Sequence, residues 1–400
     1  MTRAAGTRGF VAAACSLVAV FAASASPIPL YEIYRRGDAL THADLALTAV
    51  AYFVAVMAAL LVLGRLSNHI GRRPVALAAL GVTALGCLVL TQVHGVAPLI
   101  AGRILQGLGA GLASSALAAF IVDSAPVSPS WLASSVTAGA PMVGLTAGAL
   151  GSGALAEYGP APRSLVYLLA AGALAGCAAL IAVSRETVAR TAGAAASPRP
   201  QMRIPAAARR LLPAASATFV ATWALGGFYQ AFGPSVAADE LGTNSALVAA
   251  VIFASFMAPS AIGAPLAGRT TPATAQRAGM IVFALAVAAL LVALHAGAVG
   301  AFIAASAVAG TAQGATFAGS IRALLAGATP ADRAGLLSAI YLISYGGAAI
   351  PGFVAGQLSR VLSLFDIALG YGALAALACL ITLSAARDPR PTAADRPATA

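Results

Sequence analysis

Apolar residues in this chain fall neither in the strict alternation of a half-buried strand nor in the stripe of a soluble amphipathic helix. They form long continuous runs broken by short polar punctuation. A window of about 20 apolar residues crosses a ~30 Å hydrocarbon core. Twelve such windows fit, at 9–31, 43–65, 74–94, 97–122, 131–156, 163–184, 211–237, 244–267, 275–295, 298–323, 333–358 and 363–385. Lipid offers no water to unpaired backbone groups, and the runs lack the alternation of a membrane barrel, so every span is expected to be a helix. The pattern predicts an all-α membrane protein with twelve transmembrane helices. Arg3 and Arg8 ahead of an apolar stretch ending in Ala23, Ser24 and Ala25 imitate a leader peptide. The run continues to Leu30, and eleven more spans follow, so this stretch reads as the first span.

Composition agrees: 60% of residues are hydrophobic and 9% charged, against roughly 45–50% and 25% in soluble domains. Four cysteines in 400 residues are too sparse for a disulfide scaffold. The net charge of +11 does not point to nucleic acid, because the basic residues sit between apolar spans and build no groove. All 23 basic residues are arginines. With a cytoplasmic N-terminus, 18 of them fall on the cytoplasmic side, including Arg190, Arg199, Arg203, Arg390 and Arg396. Arg35, Arg36, Arg163 and Arg360 fall outside, and Arg103 lies within a span. This asymmetry predicts a multi-pass protein of a bacterial-type inner (plasma) membrane with both termini in the cytoplasm.

The chain divides near its middle. Residues 185–210 carry six arginines and three prolines, at 198, 200 and 205, a composition that reads as a cytoplasmic linker. The expected organisation is an N-terminal six-helix bundle over 1–184, the linker over 185–210, a C-terminal six-helix bundle over 211–385 and a cytoplasmic tail over 386–400. Two six-helix repeats suit a transporter with its substrate path at their interface. Gln106-Gly107 in span four and Gln313-Gly314 in span ten are a matching trace of such a repeat.

Between spans two and three the sequence reads Gly64-Arg65-Leu66-Ser67-Asn68-His69-Ile70-Gly71-Arg72-Arg73-Pro74, a tight basic turn with two glycines. It resembles the signature loop of the major facilitator superfamily, with Gly64, Leu66, Gly71, Arg72 and Arg73 on its marked positions and Asn68 in place of the acid. Arg103-Ile104-Leu105-Gln106-Gly107-Leu108-Gly109 resembles that family's R-x-x-Q-G-x-G segment. An arginine within lipid costs at least ~2.5 kcal/mol and should face the interior and find an acceptor. The resemblance implies alternating access and a conformational gate in which Arg72 bridges to Asp123 and holds the two halves together. It also implies that Asn68 lies at the start of helix eleven, where Asp332 supplies a missing negative charge.

Span five offers Gly139, Gly144, Gly148, Gly151 and Gly153, but Ala149 and Ser152 interrupt the family's antiporter motif. Small-residue helix packing accounts for the same spacing. Thr41 with Asp44, Thr329 with Asp332, and Ser363 with Asp366 read as helix caps. No acid lies near the middle of a span. Glu32, flanked by Pro27, Pro29, Tyr31 and Tyr34, admits two readings: an interfacial glutamate in headgroup water, or a cavity acid that carries protons and bridges to Arg103 across a ~9 Å offset.

The substrate-binding candidates are Arg103, Gln106, Trp223, Tyr229, Gln230, Gln313, Tyr341 and Tyr345, with Ser24, Ser26, Thr311, Thr316 and Ser344 as further polar neighbours. Together they suit an uncharged, amphipathic or cationic ligand better than a polyanion. Cysteines 15, 87, 177 and 379 lie in separate spans, and four histidines lack metal-ligand spacing, so neither a metal nor a cofactor is expected. Protease, nucleotide-binding and prenyl-transferase motifs are absent, and an enzyme is not expected. The reading is a secondary transporter, monomeric in the lipid bilayer, exporting small amphipathic molecules in exchange for protons. Uptake of a neutral metabolite, and a non-transporting receptor or assembly protein, are the alternatives.

Overall fold

A computed structural model describes residues 3–126, 128, 129, 131–189, 191, 204–326 and 328–389. Most of the linker, with Arg190, Arg199 and Arg203, and the tail from Arg390 lie outside the described residues. Twelve long helices follow one another: α1 (Arg3–Ala25), α2 (His42–Ala58), α3 (Arg72–Leu90), α4 (Val96–Ser124), α5 (Leu132–Tyr158), α6 (Leu165–Val183), α7 (Leu212–Ser235), α8 (Ala246–Ala267), α9 (Pro272–His295), α10 (Val299–Leu325), α11 (Pro330–Leu358) and α12 (Leu364–Ala385). Ten of these regions are long and apolar enough to cross a membrane; α5 and α7 are long enough but carry too many small and polar residues.

Local chemistry sets the ends. Pro27 and Pro29 break α1, and the chain continues through a 3-10 turn into a short helix, Tyr31–Gly37. Reciprocal capping boxes start α2 at Thr41 with Asp44 and α12 at Ser363 with Asp366, and Thr329 caps α11 by accepting the Asp332 N–H. α2 extends by a wide turn over Ala59–Leu63 to the tight loop before α3.

The two sets of six helices pack alike. In the first, α1 touches α4, α5 and α6, α4 touches α2 and α3, and α3 touches α6. In the second, α7 touches α10, α11 and α12, α10 touches α8 and α9, and α9 touches α12. Each pair recurs six helices on. Two long seams, α2 with α11 and α5 with α8, join the sets and are related by the same repeat. Both are made by a glycine against alanines. A Cβ on Gly153 of α5 would lie 2.6 Å from the Ala250 Cβ, and one on Gly356 of α11 would lie 2.6 Å from the Ala46 Cβ. Only glycine permits that approach, so the seams are narrow where these residues meet.

Candidate functional site

Each set presents two faces, named here for residues on them: the Glu32 face, with the loops after residues 37 and 240, and the Arg72 face, with the loop after residue 63. α4 runs inward from the Glu32 face, and Arg103, seven residues from its start at Val96, lies about 10 Å deep. The side chain is 0% exposed. Its Nη1 donates to the Ser24 carbonyl and, at 3.0 Å, to Gln106 Oε1. Its Nη2 donates to Gln230 Oε1 of α7 at 2.7 Å, which carries the contact from one set to the other. The guanidinium lies 4.2 Å from the centre of the Tyr52 ring, a cation–π contact. Gln106 Nε2 donates to the Ala23 carbonyl at 2.8 Å. Arg103, Gln106 and Gln230, three residues expected in the site, therefore form one junction.

Trp223 stands seven residues before Gln230 on α7, about 10 Å closer to the Arg72 face. It meets Tyr345 edge-on at 4.6 Å and Phe317 at 6.1 Å. Tyr341 and Phe53 approach Tyr345 at 6.4 and 6.3 Å. Trp223, Phe317 and Tyr341 are only half-buried, so this aromatic group lines accessible space below the junction. Tyr345 and Phe53 are buried behind it.

Two candidates lie elsewhere. Tyr229 is fully buried and turns into its own set, hydrogen-bonding Ser306 and stacking on Phe256 at 4.8 Å. Neighbouring positions on a helix point about 100° apart, so Tyr229 and Gln230 cannot share a face. Gln313 is half-buried, and its Oε1 has no hydrogen-bond partner. Gly144 and Gly148 of α5 meet the backbone of α1, as helix packing requires.

Glu32 does not reach Arg103. Its carboxylate accepts from Arg35 Nε at 2.7 Å, Arg35 Nη2 at 2.8 Å and Arg36 Nε at 2.5 Å. One helical turn supplies both arginines, and this local pairing takes the place of the bridge to Arg103, one of the two readings the sequence left open. The same arginines cross between the sets: Arg35 Nη2 donates to Asp239 Oδ1 at 2.7 Å and Arg36 Nη2 to Asn244 Oδ1 at 2.6 Å. His42 Nε2 lies 3.3 Å from Asp239 Oδ2. Glu157 of α5 caps α8 by accepting the Ala246 N–H at 2.9 Å.

At the Arg72 face the bridge from Arg72 Nε to Asp123 Oδ2 forms at 3.1 Å, but both residues belong to the first set, on α3 and α4. It ties that set together rather than the two halves, a correction to the gate expected from the family resemblance. Asn68 accepts from Arg72 Nη1 at 2.5 Å, beside Ser67 at 2.8 Å. A neutral amide four residues from an arginine is held locally, which differs from the expected contact with α11. Asp332 accepts from the Thr329 hydroxyl at 2.7 Å in the cap of its own helix. Gly64 follows the wide turn, where a Cβ would strike the Leu60 carbonyl. Gly71 takes φ 103°, which favours glycine.

Glu186, given no role from sequence, accepts the N–H groups of Arg72 at 2.8 Å and Arg73 at 3.0 Å, which caps α3. Asp388 does the same for α9, accepting the Ala273 N–H at 2.9 Å. Each acid stands in an Arg-acid pair, Arg185-Glu186 after α6 and Arg387-Asp388 after α12, a repeat that the sequence displays. Tyr52, the aromatic floor of Arg103, carried no motif; its only signal was its place in the helix that packs on α4.

The Major Facilitator Superfamily profile matches residues 9–352. Among curated proteins none matches. A crystal structure of a POT family transporter in complex with 5-aminolevulinic acid is similar at a TM-score of 0.75 and 12% identity, covering 95% of this chain and 96% of that one. A structure of the nucleoside transporter NupG is similar at a TM-score of 0.70 and 12% identity, covering 95% of this chain and 100% of that one. At that identity the likeness is one of fold.

Proposed function

This chain belongs to the major facilitator superfamily and is a multi-pass secondary transporter, and we propose that it exports small amphipathic compounds in exchange for protons by alternating access. The carrying observation is the junction of Arg103 with Gln230, a polar contact between the two sets placed above an aromatic group that accessible space reaches. The moving bodies are residues 1–184 and 211–385, joined by the linker 185–210 and followed by the tail 386–400.

Arginine asymmetry makes the Arg72 face cytoplasmic, in a bacterial-type inner membrane with both termini inside. The Glu32 face is then external, and the ties of Arg35 to Asp239 and Arg36 to Asn244 hold it shut. Closure on that side leaves entry of ligand to the cytoplasmic side, as export requires. We assign proton coupling to Glu32, the acid at the external face: breaking the ties of Arg35 to Asp239 and Arg36 to Asn244 uncovers its carboxylate to external protons. The substrate-contacting residues are Arg103, Gln106, Trp223, Gln230, Tyr341 and Tyr345, with Gln313 reached during the cycle.

Sealed inside-out vesicles with an imposed pH gradient, acid inside, test the reading. Accumulation of an amphipathic dye, reversed when the gradient is reversed, is expected. Movement down the gradient together with protons would mean uptake, and absence of flux would leave a receptor or assembly role.

A further inference from the structure

Arg103 is a buried charge without a counter-charge: among the described residues no carboxylate pairs with it. Its acceptors are a backbone carbonyl and two neutral carboxamides. Its Nε has no hydrogen-bond partner, and neither has the hydroxyl of Tyr31, which is 0% exposed. Burying an ion without an opposite charge is expensive, and two unsatisfied donors add to the cost. Such an arrangement persists where an absent group completes it. One guanidinium with an open Nε edge matches one carboxylate, which accepts two parallel hydrogen bonds.

We propose that the substrate is an amphipathic monoanion whose carboxylate pairs with Arg103 and whose apolar body lies along α7 against Trp223, Phe317 and Tyr341. The inference rests on the exporter reading above and narrows its substrate class, replacing the preference for uncharged or cationic ligands that the sequence suggested. Gln230 Oε1 marks where one carboxylate oxygen binds. The amide is an exchangeable neutral stand-in that holds the halves together between turnovers, and the substrate displaces it. The ~10 Å from Gln230 to Trp223 sets the length of the body. A polyanion is excluded, because the junction offers one cation.

The chain has two tryptophans, Trp131 and Trp223, and Trp131 lies outside the junction and is exposed. Trp131→Phe leaves Trp223 as a single fluorescent reporter. Phenylbutyrate, phenylbutyramide and phenylbutylamine share a body and differ in charge. Phenylbutyrate should quench Trp223 saturably and bind at least about tenfold tighter than the amide or the amine, the effect of one charge-assisted pair. Arg103→Ala should erase that preference, with the acid losing far more affinity than the amide. Gln230→Glu, which gives Arg103 an internal carboxylate, should erase it with Arg103 still present. Absence of saturable quenching by the acid, equal affinity for acid and amide, preference for the amine, or an acid preference that survives Gln230→Glu overturns the proposal. The wild-type comparison of the three ligands stands even if Arg103→Ala fails to fold. Proton-driven flux of a cationic dye without acid preference would sink this inference and leave the exporter reading intact. Acid binding without flux of any compound would do the reverse.

Discussion

The two faces of the molecule use similar residues for opposite ends. At the Glu32 face, polar groups meet across the halves: Arg35 with Asp239, Arg36 with Asn244, and Glu157 on the first N–H of α8. At the Arg72 face, Arg72 bridges to Asp123, Glu186 of the linker caps α3 and Asp388 of the tail caps α9, and none of these contacts crosses between the halves. An ion pair controls which face is open only when its partners sit on different moving bodies. The family's signature loop here makes its polar contacts within one half, and the polar contacts across the halves lie on the opposite side, where no motif marks them.

That contrast can be broken in several ways. The largest expected effect is at the junction between the faces: Arg103→Ala should abolish transport in vesicles while the protein inserts and accumulates normally, because the side chain serves a site rather than packing. Next is the seam. Gly153→Val would drive a side chain into Ala250 and should hold the Glu32 face apart, read as faster thiol labelling of a cysteine placed at the exposed Ala39. Asp239→Asn removes the ion pair with Arg35; at about 0.2–1 kcal/mol for an exposed pair, opening of that face should become up to a few-fold more frequent by the same labelling. Glu186→Ala should lower thermal stability by roughly 0.5–2 kcal/mol, the range for loss of a cap, and Asp388→Ala by less, because Pro272 gives α9 no N–H at its first position. Smallest is Asp123→Asn, where a bridge inside one half should change transport less than Asp239→Asn does. A larger effect there would restore the family gate.

Sequence displayed the fold almost whole, because hydrophobic runs of membrane-spanning length leave a chain in lipid little choice but helices. The caps at Thr41, Ser363 and Thr329 were legible for a related reason: capping is decided within four residues. The junction was half legible. Arg103 and Gln106 stand in one motif, and Gln230 was a polar residue in a span, but nothing local said that Gln230 rather than Tyr229 faces the seam; helix rotation decides that. Sequence left Glu32 between two readings, and two arginines one turn away pair with it where Arg103 does not. Asp239 and Asn244 were invisible because their role exists only between halves.

The central claim, that the halves exchange closure at the Glu32 face for closure at the Arg72 face, is tested by paired spin-label distances in one protein preparation. Ala39 and Gly242 are exposed at the Glu32 face in opposite halves, and Val62 and Arg333 are exposed at the Arg72 face. The account predicts a short distance for Ala39 with Gly242 and a long one for Val62 with Arg333 in the resting protein. A second population, grown by acidification, should lengthen the first and shorten the second. Fixed distances at both pairs, or two changes of the same sign, would contradict it.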